Sequence, residues 1–214
     1  MKEEYFTTVE EFKSTQPASK LIKNAFKEIT PNAKNMVGFL LSVILGILFA
    51  ASISKSKNTV PIFAKTLDVL ITIELAVFAC VFSIYSILLA FLSDNFMKRL
   101  AKIPGEGSQS ELKERTVYYE SVLFLYFIVI GITGTLILFC KCVPEDFRIT
   151  PFFHLDNYIE DNVIAFFLLS LFYSFSFRVF YEIKSTIYNT IVLFRASIAY
   201  RFLDFARDDG ESKE

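Results

Sequence analysis

Apolar residues in this chain do not recur at one helical or strand period. They gather in four long uncharged blocks, with nearly all Lys and Arg between them. An α-helix rises about 1.5 Å per residue, so about 20 apolar residues cross a hydrocarbon core of roughly 30 Å. That rule predicts spans at 36–54, 69–92, 121–140 and 162–183. The fourth is charge-free only from Asn162 to Phe177; Arg178 and Glu182, four apart, fall at its inner end, where an Arg can snorkel or pair. The fold class expected is all-α: a polytopic membrane protein with four transmembrane helices and helical cytoplasmic extensions.

Charge sets the direction of the spans, because cytoplasmic segments carry the excess of Lys and Arg. Residues 1–35, 93–120 and 184–214, taken with Arg178, hold 17 of them; the segments 55–68 and 141–161 hold five. This alternation predicts both termini in the cytoplasm. The first block starts 35 residues in, behind polar helical segments, so it is expected to be a retained span rather than a signal peptide. No lipidation motif is expected: position 2 is Lys and the chain closes on GESKE.

The cytoplasmic segments read as helices. Thr8 with Glu11 forms a capping-box pattern, Pro17 suits a first turn, and Thr30-Pro31 reads as a cap and N1 for the first span. Leu21, Ile22, Ala25, Phe26 and Ile29 make one apolar stripe, for a membrane surface or for the protein's own helices. The 93–120 segment breaks at Pro104-Gly105, and Ser108 with Glu111 looks like a second capping box, so a helical hairpin is expected. After the fourth span, Ile187, Ile191, Phe194, Ile198, Phe202 and Phe205 recur every three or four residues, an apolar seam on a stalk helix. Its cover is left open: the chain's own helices, other subunits, or lipid.

Ionisable residues inside spans are functional candidates by default. Glu74 lies 18 residues from Leu92, about 27 Å by helical rise, near the outer edge of the core. Glu74 and Asp68 either line a polar vestibule or are interfacial residues, with Asp68 pairing to Lys65. Small residues let membrane helices approach closely. Ser42, Gly46 and Ala50, continued by Ser54, and Gly131 with Gly134 are therefore candidate helix contacts, within a chain or between chains. A pore would want a polar row, for which Glu74, Ser83 and Ser86, or Ser170, Ser174 and Ser176, are the only material; serines also bond the i−4 carbonyl harmlessly.

Composition narrows the chemistry. At 53% hydrophobic with three Cys, the chain is neither disordered nor a disulfide scaffold. Cys140 and Cys142 are one residue apart, poor geometry for bonding each other, which leaves free thiols or an intermolecular bond. One His, His154, without a second ligand pair makes a metal site unexpected. The outer loop around it, with Phe147, Phe152, Phe153 and Tyr158 among acids, reads as a lid on the outer interface. No HExxH, GxSxG, P-loop or dinucleotide glycine pattern occurs, so no catalytic residue, cofactor or enzyme activity is assigned. Basic residues interleave with acids, which argues against direct nucleic-acid binding.

Two classes remain: an oligomeric membrane scaffold or sensor holding a cytoplasmic partner, and a pore-forming or depolarising, ion-channel-like effector. The layout, with blocks SVLFLYFIVIGITGTLILFC and IAFFLLSLFYSFSF and a basic stalk, resembles the small four-span membrane proteins of bacterial anti-phage systems. The Kiwa membrane subunits and the membrane effectors of retron and cyclic-nucleotide systems are the comparisons. The similarity covers layout and carries no motif, so no site residue comes with it. It implies phage defence at the bacterial inner membrane, a homo-oligomer, and a cytoplasmic partner protein. Twenty-five Phe, no Trp and abundant Lys fit an AT-rich bacterial gene.

Overall fold

The computed structural model describes residues 17–31, 35–56, 58–91, 94–103, 110–145, 147 and 163–211. Six helices account for most of them: α1 Ala18–Ile29, α2 Met36–Ser54, α3 Thr59–Phe91, α4 Asp94–Lys102, α5 Glu111–Cys142 and α6 Val163–Glu211. No strand occurs among the described residues. α2, α3, α5 and α6 are each long and apolar enough to cross a bilayer, so the chain is an all-α polytopic membrane protein.

Helix ends follow local chemistry more than the apolar blocks do. α2 starts after Asn35, so Thr30-Pro31 does not open the first span; Pro31 instead follows the end of α1, where it cannot continue a helix. α3 starts at Thr59, ten residues before the apolar block. Pro61 lies in its first turn, where the missing N–H costs nothing, and the Asn58 carbonyl accepts from the Ile62 N–H at 3.2 Å. The cap of α5 is Ser110, whose hydroxyl accepts from the Lys113 N–H at 3.4 Å; this replaces the expected cap at Ser108. Glu111 and Glu114 then occupy the first turn, where the helix dipole favours acids. Thr8, Glu11, Ser108, His154 and the loop 148–160 lie outside the described residues.

The chain divides into two compact units. One combines Glu28–Phe78 with Leu125–Ile183, and holds all of α2, the greater part of α3 and α5, and α6 as far as Ile183. Its core gathers Ala50, Ile53, Leu169 and Tyr173, with Phe63, Phe166, Phe172 and Phe177 packed around them. Phe63 meets Phe172 edge-on at 5.9 Å, and the Tyr173 hydroxyl is tied to Thr66. Tyr126, fully buried, donates to the Val179 carbonyl of α6 at 3.1 Å.

The second unit contains α1 up to Lys27, Ala79–Phe124 and α6 from Lys184. Leu88, Phe96, Leu100, Tyr119 and Leu193 are its buried centre, with Phe194 and Tyr200 packed against it. α6 is held there by Leu193 and by hydroxyls: Tyr119 bonds Thr190 at 3.0 Å and Tyr118 bonds Thr186 at 3.4 Å. The buried face of this stalk is thus Thr186, Thr190, Leu193 and Ser197, one position round from the apolar seam.

Candidate functional site

Three arrangements gather the chemistry that the spans contain. The first is the stripe on α2. Gly38, Ser42, Gly46, Ala50 and Ser54 are all buried, four residues apart, and turn one face of α2 into a smooth surface. That face meets α6 of the same chain. A Cβ added at Gly46 would stand 2.6 Å from the Ser174 backbone nitrogen and 2.8 Å from its Cα, so backbone approaches backbone there. One at Gly38 would run into the Tyr181 ring, with Cζ 2.6 Å away and two ring carbons nearer still. Gly38 extends the Ser42–Gly46–Ala50 row by one step and was legible from the same spacing. Gly131 and Gly134 differ: an added Cβ meets nothing within 4 Å at either, so among the described residues neither is a close helix contact. Their spacing of three places them on no continuous smooth face, and α5 buries Val129 and Thr133 instead.

The second arrangement lies within α6, at Arg178 and Glu182. Arg178 is 4% exposed and Glu182 2% exposed, and Arg178 Nη1 donates to Glu182 Oε1 within an i,i+4 ion pair. Arg178 Nε also donates to the Ile29 carbonyl at 3.1 Å, at the last residue of α1. A cation there satisfies an orphan carbonyl and opposes the negative end of the helix dipole. The guanidinium lies 5.8 Å from the centre of the Tyr181 ring. Spacing alone indicated the pair; that it is buried and anchors α1 required the tertiary structure.

The third is Glu74. It is fully buried on α3, where Oε1 accepts from the Thr133 hydroxyl of α5 at 3.0 Å; Thr133 is itself fully buried. Oε2 has no hydrogen-bond partner. Asp68, six residues earlier and so about two-thirds of a turn away in direction, is exposed, as is Lys65, and no ion pair joins them. The structure therefore does not bring Glu74 and Asp68 into one vestibule. Ser83 and Ser86 are exposed and donate to the Ala79 and Phe82 carbonyls at 2.8 and 2.9 Å, so α3 presents no polar row with Glu74. On α6, Ser170 and Ser176 have buried hydroxyl oxygens without partners.

The stalk seam faces away from the chain's own core. Ile187, Ile191, Ile198 and Phe202 are 46%, 45%, 54% and 69% exposed. Phe194 alone packs on the Tyr119 cluster, and the side chain of Phe205 lies outside the described residues. Apolar period pointed to this seam, whereas tyrosine hydroxyls captured the neighbouring Thr face. Cys80 and Cys142 are exposed and Cys140 is buried, all as free thiols.

Compared with known proteins, the chain matches no family model, no curated relative and no solved structure.

Proposed function

We infer that this protein is a non-enzymatic scaffold of the bacterial inner membrane, with both termini cytoplasmic, that self-associates and holds a cytoplasmic partner at the bilayer in anti-phage defence. The observation that carries the reading is the uncovered seam. A span uses about 20 residues of α6, and the remaining 28, from 184 to 211, extend about 42 Å further at 1.5 Å per residue. Ile187, Ile191, Ile198 and Phe202 on that extension are exposed beyond the bilayer length of the helix, an apolar row that association would cover. The 17-to-5 partition of Lys and Arg supports the orientation, and the four-block layout supports the defence role. The channel reading has less behind it, because the serines of α3 bond their own helix and Glu74 points inward to Thr133.

Replacing Ile191 and Ile198 together with Glu tests assembly. Light scattering in mild detergent is expected to give a multiple of the 24.6 kDa chain for the parent and a single chain for the variant. An unchanged mass would sink the scaffold assembly. Without any partner, liposomes bearing the parent protein should hold their dye; leakage would favour the channel.

Orientation has its own check. With Cys80, Cys140 and Cys142 replaced by Ala, a single Cys at position 150 should react with an impermeant maleimide from outside intact cells. A single Cys at position 106 should react only after the cells are opened, and the reverse pattern overturns the topology.

A further inference from the structure

Beside the close approach of α2 and α6 lies an open groove of about 460 Å³. It is walled by Phe39, Val43 and Ile47 of α2 and by Phe167, Leu171 and Phe175 of α6, with Arg178 and Ile29 at one end. The Ser170 hydroxyl, buried and without a partner, also lines it. We propose that this groove is a binding site for one acyl chain of a phospholipid from the leaflet on the Arg178 side.

Length is the first argument. From Phe167 to Arg178 is 11 residues of helix, about 17 Å, close to half of the roughly 30 Å hydrocarbon core. The groove is thus one leaflet deep, and its single charged residue stands where that leaflet's headgroups begin. A helix about 10 Å across packs on such a groove through one face only, and a second copy seated there in place of lipid is the outcome in which no phospholipid is retained. A methylene chain is far thinner and needs no hydrogen bonds from the apolar walls. The walls are fixed, because Gly46 pins α2 to the α6 backbone at Ser174, one turn from Ser170. Arg178 already has Glu182 and the Ile29 carbonyl as partners, so it marks the depth of the head and the chain supplies the affinity. A chain held between two fixed helices exchanges more slowly than lipid lying on one exposed helix face.

The inference depends on the long helices lying in a bilayer and not on the assembly or defence role. The absence of Trp gives a clean reporter. A Phe175→Trp variant and a Leu138→Trp variant, the latter on an exposed face of α5, are held in detergent micelles with phosphatidylcholine and mixed rapidly with micelles of the same detergent carrying dibrominated phosphatidylcholine. Both should be quenched, with quenching of the Phe175→Trp reporter developing at least roughly tenfold more slowly, equivalent to about 1.4 kcal/mol. Equal rates, or a Phe175→Trp reporter that is never quenched, would overturn the site. Native mass spectrometry of the parent should retain one phospholipid per chain, and Val43→Phe with Ser170→Leu should remove it; retention in that filled variant would also overturn it. If the filled variant does not fold, the two Trp reporters decide alone.

Discussion

Replacing Arg178 by Ala while Glu182 stays should destabilise the detergent-solubilised protein by about 3–5 kcal/mol. Both side chains are almost completely buried, and Glu182 would lose its ion-pair partner from a site shielded from water. Two effects act together. The carboxylate loses its charged donor, and the Ile29 carbonyl at the end of α1 loses the Nε–H that satisfies it. Glu182→Ala should cost a similar amount by removing the carboxylate partner of the buried guanidinium. Arg178→Met combined with Glu182→Leu should recover most of the loss, because a buried ion pair adds little over well-packed apolar residues of similar volume. Thermal or denaturant unfolding in a fixed detergent measures all three. A loss below about 1 kcal/mol in either single variant, the range of exposed pairs, would mean that the pair sits among headgroups and water.

The second large effect is expected at Gly46. Gly46→Ala should cost about 1–3 kcal/mol, and Gly46→Val more, because the added carbon meets the Ser174 backbone, which no side-chain rotation can move aside. Gly38→Ala should cost less: its obstacle is the Tyr181 ring, which can swing on its own torsions. Gly131→Ala should be neutral or gain up to about 1 kcal/mol, since Ala is the better helix former and the space is open. The order Gly46, Gly38, Gly131 is the readout, measured as midpoints of unfolding. Equal effects at Gly46 and Gly131 would show that α2 and α6 do not touch along the stripe.

Much of this architecture is legible residue by residue. Uncharged runs of bilayer length identify four spans because hydrocarbon cannot solvate charge, a property of composition and length alone. The small-residue row of α2 is equally visible, since only Gly, Ser and Ala at four-residue spacing leave a flat helix face. The stalk is where the pattern misleads. Its Ile and Phe residues repeat as a core seam would, yet Tyr118 and Tyr119 reach Thr186 and Thr190, and that partly polar face is the one buried. Hydrophobic period ranks faces by apolar content and is blind to a hydroxyl that becomes apolar in effect once its bond is made. Glu74 and Asp68 show the same limit. Both are acids in the first half of α3, and the packing of α5 with Thr133 against one face of it separates the buried one from the exposed one.

The sequence by itself determined that this is an all-helical membrane protein with four spans, and through its Lys and Arg it predicts a direction for them. Those properties are additive along the chain: each residue contributes its transfer energy or charge wherever its neighbours lie. Tertiary structure alone decided that the α2 stripe packs on α6, that Arg178 anchors α1, that Gly131 and Gly134 face open space, and that the stalk turns its apolar seam outward. Each of these depends on which side chain from a distant segment arrives at a given face. Pairing of that kind is a property of two surfaces at once and is written in neither one alone.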